Sequence, residues 1–557
     1  MIGEIMKKIN VATRAGAIAI LAMGFITPAQ AADNPVKLIA PKEIADVPAI
    51  PFTGIKAQTF ATPSSMINLD VTPSQVVIGD AMTITGKGLT GNTPVTLTWS
   101  TNDATWVTDV QPNTVNYMGT AYTKYNVVIA TVTTDPLGGF VYKTKVPSDF
   151  GGVHDIYAVN NETALAHGGV QIARTFKMTP TSGPVGTPIT IEYSGLGPSL
   201  YAAGSALYYD NKFVGEMQAR WTRGTARTTI LASGAVGKHF IQANEAISFS
   251  YLNVMQSPVP FANSGSGFFK VTKDPGAFKP YVVYPKDMTP TVEQRTTLTT
   301  AGLDPNTKAD ATLTPARGIV GSKSTLKVTG LTTRGVHTIV WATVVGNRVN
   351  CTTGTCWVYN PIPLGTVDVT SADINQEITI PDHLGGYHVV QLKLGDVVEA
   401  QQVFYVKESI QPLLDKNGKV LTMGVAKADK SGSTDAFARG GQGTPTYNFK
   451  EGEEFTISIK GVGWTQMDNT LAVAYDNSYV GYGCGFNSNG YLVVHLTAIG
   501  GVGTHIITLR PLLYTQQPSF ASTPYGMVPV LTSERDFAGL ALGYQIPTFN
   551  FAINIVK

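Results

Sequence analysis

The sequence has 557 residues, a formal net charge of +2 at pH 7 and 14% charged residues, well below the usual quarter. No block of Lys or Arg occurs, so nothing in it supports nucleic-acid binding. An apolar fraction of 43% excludes a mainly disordered chain, and the length predicts roughly three to five domains. The 57 glycines and 33 prolines favour an all-β protein with many turns.

The first 31 residues have the features of a secretory signal peptide. Lys7, Lys8 and Arg14 give a positive start, Ala15 to Phe25 is apolar, and Ala29-Gln30-Ala31 is a small-x-small cleavage site. An uncleaved membrane anchor is the alternative, but the apolar run is shorter than the ~20 residues that span a bilayer. The sequence therefore predicts export to the extracellular space, the cell surface or the periplasm, with no transmembrane segment in the mature chain.

The rest of the chain contains a duplicated unit. Residues 186–241 align without a gap to 452–507, sharing Tyr-Asp-Asn and, further on, Val-Gly-x-His. A looser pair joins Val146–His154 to Ile380–His388. Similarity of this kind indicates that a two-domain unit was repeated, in the order A, B, A′, B′.

These repeats, with the composition between them, divide the chain. The predicted parts are the signal peptide 1–31, a proline-rich extended lead segment 32–65, module A 66–176, module B 177–273, a linker 274–310, module A′ 311–408, a flexible linker 409–446 and module B′ 447–557. The run DKSGSTDAFARGGQGTP within 409–446 is typical of a flexible connection. Modules A and B are expected to be rigidly coupled, and the two halves less so.

Within each module the apolar residues alternate with period two. Ala81–Thr85 and Phe455–Ile459 alternate in this way, and the final stretch places Phe549, Phe551 and Ile553 on one face. Such segments recur about every 8–14 residues between Gly, Pro, Asn and Asp, and no amphipathic helix of three turns is evident. About 100 residues of short alternating strands predict a β-sandwich for each module.

Three modules open alike. Module A begins VTPSQVVIGDAMTITGKGL, module B MTPTSGPVGTPITIEYSGL and module A′ LTPARGIVGSKSTLKVTGL, whereas B′ lacks the Thr-Pro pair. Proline suits a first edge strand because it needs no ladder N–H, and the glycines permit the turns. In module B the motif consists of Pro180, Gly183, Gly186, Thr190, Gly195 and Gly197. On these residues the modules resemble bacterial immunoglobulin-like domains of the IPT/TIG-like kind.

The resemblance implies an all-β chain of four tandem immunoglobulin-like β-sandwiches. Such domains serve as spacers, adhesive modules and accessory domains in secreted and surface proteins, and the fold alone fixes no function. The resemblance also implies a role for four histidines that each follow a glycine turn: His154, His239, His388 and His505. They fall at the start of the next-to-last strand, where a polar aromatic side chain anchors the strand corner on the backbone. Because there is one per module, we expect a structural role rather than a shared site.

Other candidate chemistry is sparse. Asp382, His383 and His388 lie within seven residues, but His383 has no evident counterpart in module A, so we predict no metal site and no cofactor. The repeated Tyr-Asp-Asn at 209–211 and 475–477 predicts a hairpin turn rather than a ligand site. Cys351 and Cys356 could form a disulfide across a small hairpin, with the reduced state equally open, and Cys484 is expected to be an unpaired, inert thiol.

No common enzyme motif is present, so the sequence predicts a protein that is not an enzyme. The leading hypothesis is adhesion, cell-surface assembly or extracellular scaffolding, with a protein or polysaccharide at the cell surface as partner and self-association as a further possibility. The alternative is a carbohydrate- or ligand-binding accessory subunit that uses an aromatic-rich insert at 508–545. Its candidate contact residues are Tyr514, Phe520, Tyr525 and Tyr544. A hydrolase with an unrecognised site is the least favoured hypothesis.

Overall fold

The structure is a computed structural model, and the residues that it describes form 40 strands. The residues it describes are 38, 41, 43–51, 54–111, 114–198, 204–245, 255, 265–284, 304–346, 357–410, 412–414, 420–428, 444–463, 470–485, 489–514, 527–531 and 547–557. Within these ranges no residue is helical, and so none belongs to a helix that could cross a membrane. The prediction of an all-β chain is confirmed, whereas the predicted signal peptide lies outside the described residues.

Module A consists of two facing sheets. Its strands are β1 Ile67–Asn68, β2 Asp70–Thr72, β3 Gln75–Val76, β4 Ala81–Gly86, β5 Pro94–Gln111, β6 Thr114–Thr133, β7 Phe140–Lys145, β8 Gly152–Asn160 and β9 Thr163–Ile172. One sheet has the order β1-β9-β8-β5-β6 with β3 also on β9, and the other is β2-β4-β7. Ile84, Trp99 and Phe140 are buried in the core of this module.

Module B has the same two-sheet plan. Its strands are β10 Thr175–Thr179, β11 Ser182–Gly183, β12 Pro188–Ser194, β13 Gly204–Tyr209, β14 Lys212–Gln218, β15 Thr225–Leu231, β16 Gly237–Glu245 and β17 Gly265–Val271. The sheets are β10-β12-β15 and β11-β17-β16-β13-β14. Alternate residues of β12 point into the core, where Ile189, Ile191 and Tyr193 have no exposed surface.

Module A′ repeats the plan of module A, and one strand, β18 Tyr281–Val283, precedes it. Its own strands are β19 Asp310–Thr314, β20 Arg317–Ile319, β21 Lys323–Thr329, β22 Gly335–Ala342, β23 Val344–Gly346, β24 Trp357–Tyr359, β25 Ile362–Val369, β26 Ile374–Thr379, β27 Gly386–Leu394 and β28 Val397–Lys407. The sheets are β19-β21-β26 and β20-β28-β27-β22-β25, with β23-β24 as a separate pair. Trp341 and Phe404 are fully buried between them.

Module B′ contains the remaining strands and a larger sheet. They are β29 Ser409–Ile410, β30 Pro412–Leu414, β31 Val420–Met423, β32 Val425–Lys427, β33 Asn448–Lys450, β34 Glu454–Lys460, β35 Thr470–Tyr475, β36 Ser478–Cys484, β37 Leu492–Thr497, β38 Gly503–Tyr514, β39 Met527–Pro529 and β40 Thr548–Val556. The larger sheet has the order β18-β40-β38-β35-β36, with β33 on β40 and β39 on β38. In the facing sheet, β29, β32 and β37 all pair with β34.

The opening motif marks the point where the first strand changes sheets. Thr72-Pro73, Thr179-Pro180 and Thr314-Pro315 each lie between a strand of the smaller sheet and a short strand of the larger one. The short strands β3, β11 and β20 then pair in parallel with the last strand of their module. A proline suits this crossing because it has no N–H to leave unpaired. This strand order in two packed sheets is that of an immunoglobulin-like sandwich.

Two segments predicted as linkers carry strands of module B′. β18, from the predicted linker 274–310, pairs antiparallel with β40. β29 and β32, from the predicted flexible linker 409–446, pair with β34 in the register that β10 has on β12. The flexible-linker prediction is therefore wrong at these positions. The Gly- and Ser-rich run that suggested a flexible linker lies outside the described residues. Its composition does not indicate whether the residues on either side of it form strands.

The predicted lead segment lies along module A. The Ala45 amide donates to Lys143 O at 3.0 Å, and the Ala61 amide donates to Glu162 O at 2.8 Å. Val47 and Ile50 pack against the core of the module. An extended segment therefore covers part of the edge strand β7 and the start of β9, whose backbone groups would otherwise be open to pairing with other chains.

Candidate functional site

The four histidines each make the same kind of hydrogen bond to the backbone. In each, ring Nε2 faces the backbone carbonyl four residues earlier, at 2.7 Å for His154, 2.7 Å for His239, 2.9 Å for His388 and 2.9 Å for His505. Each ring also stacks on an aromatic side chain of the neighbouring strand, namely Trp99, Tyr209, Trp341 or Tyr475. Since a carbonyl only accepts, Nε2 is the donor in this contact.

The second ring nitrogen divides the histidines into two types. In module A, His154 Nδ1 lies 2.7 Å from Ser100 O, and the corresponding atom of His388 lies 3.2 Å from a carbonyl of A′. In module B, His239 Nδ1 lies 2.5 Å from Asp210 Oδ2, and His505 Nδ1 lies 2.6 Å from Asp476 Oδ2. The B-type aspartate is the middle residue of the repeated Tyr-Asp-Asn, and its other oxygen accepts from the backbone amide of the residue after the histidine, Phe240 or Ile506.

The two environments shift the pKa in opposite directions. Burial lowers the pKa of His388 to about 4, because desolvation of the imidazolium outweighs its three backbone acceptors. Burial also opposes charge on His505, but the Asp476 carboxylate, Gly501 O and the nearby Asp274 together raise its pKa. One position therefore holds a neutral ring in A′ and favours a charged ring in B′.

A buried ion pair joins modules A and B. Asp149, in the turn before His154, has no exposed surface and accepts from Arg223 Nε of module B at 3.1 Å. The same carboxylate accepts from Trp99 Nε1 at 2.8 Å and from Thr101 Oγ1 at 2.9 Å. Arg223 is almost fully buried, so neither charge reaches water. Truncation of one partner leaves the other charge unpaired in the interior, which is costly.

Modules A′ and B′ meet through an equivalent junction that lacks the ion pair. The two A-type modules can be aligned on equivalent strand pairs, Trp99↔Ile156 in A and Trp341↔Val390 in A′. In this alignment His383 takes the place of Asp149. Thr343 Oγ1 lies 3.1 Å from His383 Nδ1, as Thr101 lies against the carboxylate. In the described part of the chain Trp341 Nε1 donates no hydrogen bond. His383 thus has a counterpart after all, which sequence comparison missed because the residue type changed.

Close backbone packing is common to both junctions. A Cβ on Gly151 would lie 1.7 Å from Gly195 O, and a Cβ on Gly385 would lie 1.7 Å from Gly461 O. The Gly385 amide donates across the junction to Val462 O at 2.9 Å. Both Gly-Gly turns are therefore pressed against the next module. Across the described residues no cluster of three metal-ligating side chains occurs, and Asp382 instead pairs with Lys460 at 2.7 Å.

Modules B and B′ pack directly against each other, contrary to the expectation that the halves are loosely coupled. Leu531 N of B′ donates to Glu216 O of B at 2.9 Å, and Arg510 Nη2 donates to Thr229 O at 2.7 Å. The core of B includes Ile506, Leu531 and Ala552 of B′. Desolvation lowers the pKa of the buried Arg510 to about 10. Interfaces that bury apolar residues as a domain core does are typical of permanent rather than transient contacts.

The repeated Tyr-Asp-Asn supplies a key contact of this interface. Asn477 Nδ2 donates to Leu231 O and to Ser233 Oγ of module B, both at 2.8 Å. Asp274, after the last strand of B, accepts from the amide of Thr504 in B′ at 2.7 Å. The motif forms the hairpin turn that the sequence predicts, with positive φ at Asp476 and Asn477. Its asparagine also serves the interface, a role that the sequence did not indicate.

Several predicted site residues lie outside the part of the chain that the structure describes. The side chain of Tyr514, all of Phe520, Tyr525 and Tyr544, and the cysteines 351 and 356 lie outside the described residues. The described parts of the 508–545 insert do have a place. Arg510 and Leu531 both dock on module B, and Cys484 lies half-buried in β36.

Comparison with known proteins gives no family. No protein-family model matches the sequence, and no curated protein matches it. Matching solved structures include native Escherichia coli alpha-2-macroglobulin, with 9% identity over 87% of this chain and 30% of that chain, at a TM-score of 0.15. A putative membrane anchored protein from Corynebacterium diphtheriae has 12% identity over 61% of this chain and 89% of that chain, at a TM-score of 0.15.

The N-terminal domains of the outer capsid protein Hoc of bacteriophage RB49 also match. Their identity is 12% over 61% of this chain and 96% of that chain, at a TM-score of 0.13. The chain spans 30% of the native E. coli and 31% of the methylamine-reacted Salmonella alpha-2-macroglobulin chains, and 53% of the elastase-activated E. coli chain. With TM-scores this low, these likenesses carry no argument about function.

Proposed function

We propose that the chain is an exported, non-enzymatic structural protein of the cell surface, built from four IPT/TIG-like sandwiches in the order A, B, A′, B′. Its role is surface assembly or extracellular scaffolding. The observation that carries this proposal is the contact between B and B′, in which two modules far apart in sequence share core residues. A protein that must hold partners at a fixed spacing requires permanent contacts of this kind, because interfaces between independent domains are smaller and more polar.

The buried polar groups support the same role. Asp149 and Arg223 pair with each other across the A–B junction, and the histidine rings are held by carbonyls or by Asp210 and Asp476. Groups engaged in this way are not available to a substrate, since a catalytic acid or base must reach the reacting atom. Their chemistry fixes module positions, and we assign the four histidines to strand corners on this ground.

The accessory-subunit alternative is less well supported. Its aromatic contact residues fall in the insert of B′, and two described parts of that insert, 508–514 and 527–531, contact module B, where Thr228 Oγ1 donates to Leu531 O and Arg510 donates to Thr229 O. A segment that contacts a neighbouring module at two places has less surface to offer a sugar or a peptide. Among the described residues, no contact favours a role in adhesion over one in scaffolding.

Localisation and activity test this proposal together. Intact producing cells that carry an epitope-tagged chain are treated with external protease and labelled with antibody, and a variant lacking residues 1–31 is the matched control. We expect the full chain to be cut and labelled at the surface and the control to be protected inside the cell. A full chain that stays inside, or a purified chain that releases sugars or peptides from cell-wall material, would overturn the proposal.

A further inference from the structure

The contact between B and B′ uses different faces of two homologous modules. Module B contributes what is here called the acceptor face, formed by β14 and β15 with Glu216, Thr229 and Leu231. Module B′ contributes the donor face, formed by the Tyr-Asp-Asn turn, β38 and β40 with Asn477 and Ala552. A contact in which each partner uses a different face is heterologous. In the second copy of each face, Val480, Tyr482 and Ile499 on B′ and Phe268 on B stay exposed, although β36 also touches β14 through Tyr479 and Phe213, whose ring centroids lie 6.5 Å apart.

The second acceptor face, on B′, is exposed. Val480 and Tyr482 in β36 are 53% and 52% exposed, whereas Val214 and Glu216, at the same places in β14, are 2% and 7% exposed. Ile499 is likewise 54% exposed, while Ser233, its counterpart in B, is covered. The face that B buries against B′ is thus presented on B′ as an apolar surface. Monomeric proteins rarely leave grouped apolar side chains in water without a use for them.

The second donor face, on B, is exposed as well. Phe268 is 59% exposed, whereas Ala552, at the same register position in B′, is fully buried. Phe268 stacks against Phe240 with ring centroids 5.3 Å apart. Asn211 is exposed at the tip of the turn, with φ 62° against 60° for Asn477. The asparagine is therefore held in the same conformation on both modules.

The hydrogen bond at the centre of the internal contact could also form between two copies of the chain. Asn477 Nδ2 donates to a backbone carbonyl, Leu231 O, so the bond does not depend on the residue type of the acceptor. Thr497 has the register position on β34 that Leu231 has on β12. An Asn211 side chain from another molecule therefore finds the same carbonyl on B′.

We propose that the acceptor face of B′ binds the donor face of module B from a second copy of this chain, head to tail. The inference rests on the proposed assembly function and names its partner. Repetition of a heterologous contact gives a closed ring or an open filament. The internal contact also includes β18 and Asp274, and it includes Arg510 and Leu531 of the 508–545 insert, which belongs to B′ and not to B. The contact between copies lacks them, so it is weaker and depends on concentration.

Sedimentation velocity of the purified full chain over a concentration series tests this inference. Ile499→Lys removes the acceptor face and Phe268→Glu removes the donor face. Val397→Lys, at a 60% exposed valine of module A′, is the matched control. All three positions are exposed, so unchanged thermal unfolding shows that each variant is folded. We expect the wild type and Val397→Lys to oligomerise alike and each face variant to associate at least about tenfold more weakly.

Mixing the two face variants gives the decisive result. Ile499→Lys retains its donor face and Phe268→Glu its acceptor face, so together they should form dimers and nothing larger. A wild type that stays monomeric throughout the series, face variants that associate like the control, or a mixture without dimers would overturn the inference. A monomer located at the cell surface leaves the proposed function standing, while an oligomer confined inside the cell overturns that function alone.

Discussion

Replacement of Arg223 by Asn tests the buried ion pair between A and B. The substitution leaves Asp149 charged and buried, and breaking a buried pair in this way costs about 3–5 kcal/mol. The carboxylate keeps Trp99 Nε1 and Thr101 Oγ1 as donors, so we expect the lower end, about 3 kcal/mol. The double variant Asp149→His with Arg223→Asn introduces the residue types that the A′–B′ junction has at the corresponding positions, His383 and Asn489, and should recover most of the loss.

Hydrogen exchange measured by mass spectrometry is the suitable assay, because unfolding of a multidomain chain is not two-state. Peptides that cover β8 and β15 should exchange about a hundredfold faster in Arg223→Asn and near the wild-type rate in the double variant. Peptides of the A′–B′ junction in the same sample serve as the internal control. Exchange of Arg223→Asn within about threefold of wild type would refute the reasoning.

Three further predictions concern the histidine corners and the B–B′ contact. The folded pKa of His388 is about 4 and its ordinary value 6.5. The neutral His388 ring therefore contributes about 3 kcal/mol of stability above pH 6.5, and this contribution is lost as the pH falls to 4. In acid unfolding, His388→Gln should lose less stability over this pH range than the wild type does. His505 has a raised pKa, so its contribution is complete below pH 6.5 and lost as the pH rises through the folded value; His505→Gln should flatten that alkaline slope. Asn477→Ala removes two buried hydrogen bonds and should cost about 1–3 kcal/mol of local stability, measured as faster hydrogen exchange of peptides that cover β15 and β36, whereas Asn211→Ala should leave exchange of the monomer unchanged.

The repeats and the strand alternation were sufficient to predict the all-β fold. They work because a strand with one buried face must alternate, and because a duplicated module repeats its turn residues at fixed spacing. The final strand shows the limit of this reasoning. Phe549, Phe551 and Ile553 lie on one buried face as predicted, but Asn550 and Ala552 on the other face are buried too. A second buried face comes from a partner module, which local pattern does not reveal.

The contacts between modules could not be predicted from the sequence, for a related reason. Asp149 and Arg223 are single residues in different modules, and nothing local marks them as a pair. The replacement of Asp149 by His383 in the second unit also hid their equivalence. One usable signal existed: the Tyr-Asp-Asn motif is conserved between B and B′ beyond what a turn requires. An asparagine with two interface bonds at 477 explains why it was kept there.

The large separation along the chain between B and its partner face has a kinetic consequence. Thr228 and Leu531, which meet in the B–B′ contact, are 303 residues apart. At about 5–20 residues per second, module B is synthesised roughly 15–60 s before the segment that covers it. For that interval its acceptor face is open to any B′ module within reach, including one on a neighbouring chain. When many chains are synthesised close together, module B can therefore bind B′ of its own chain or B′ of a neighbouring chain. Dilution favours the contact within one chain.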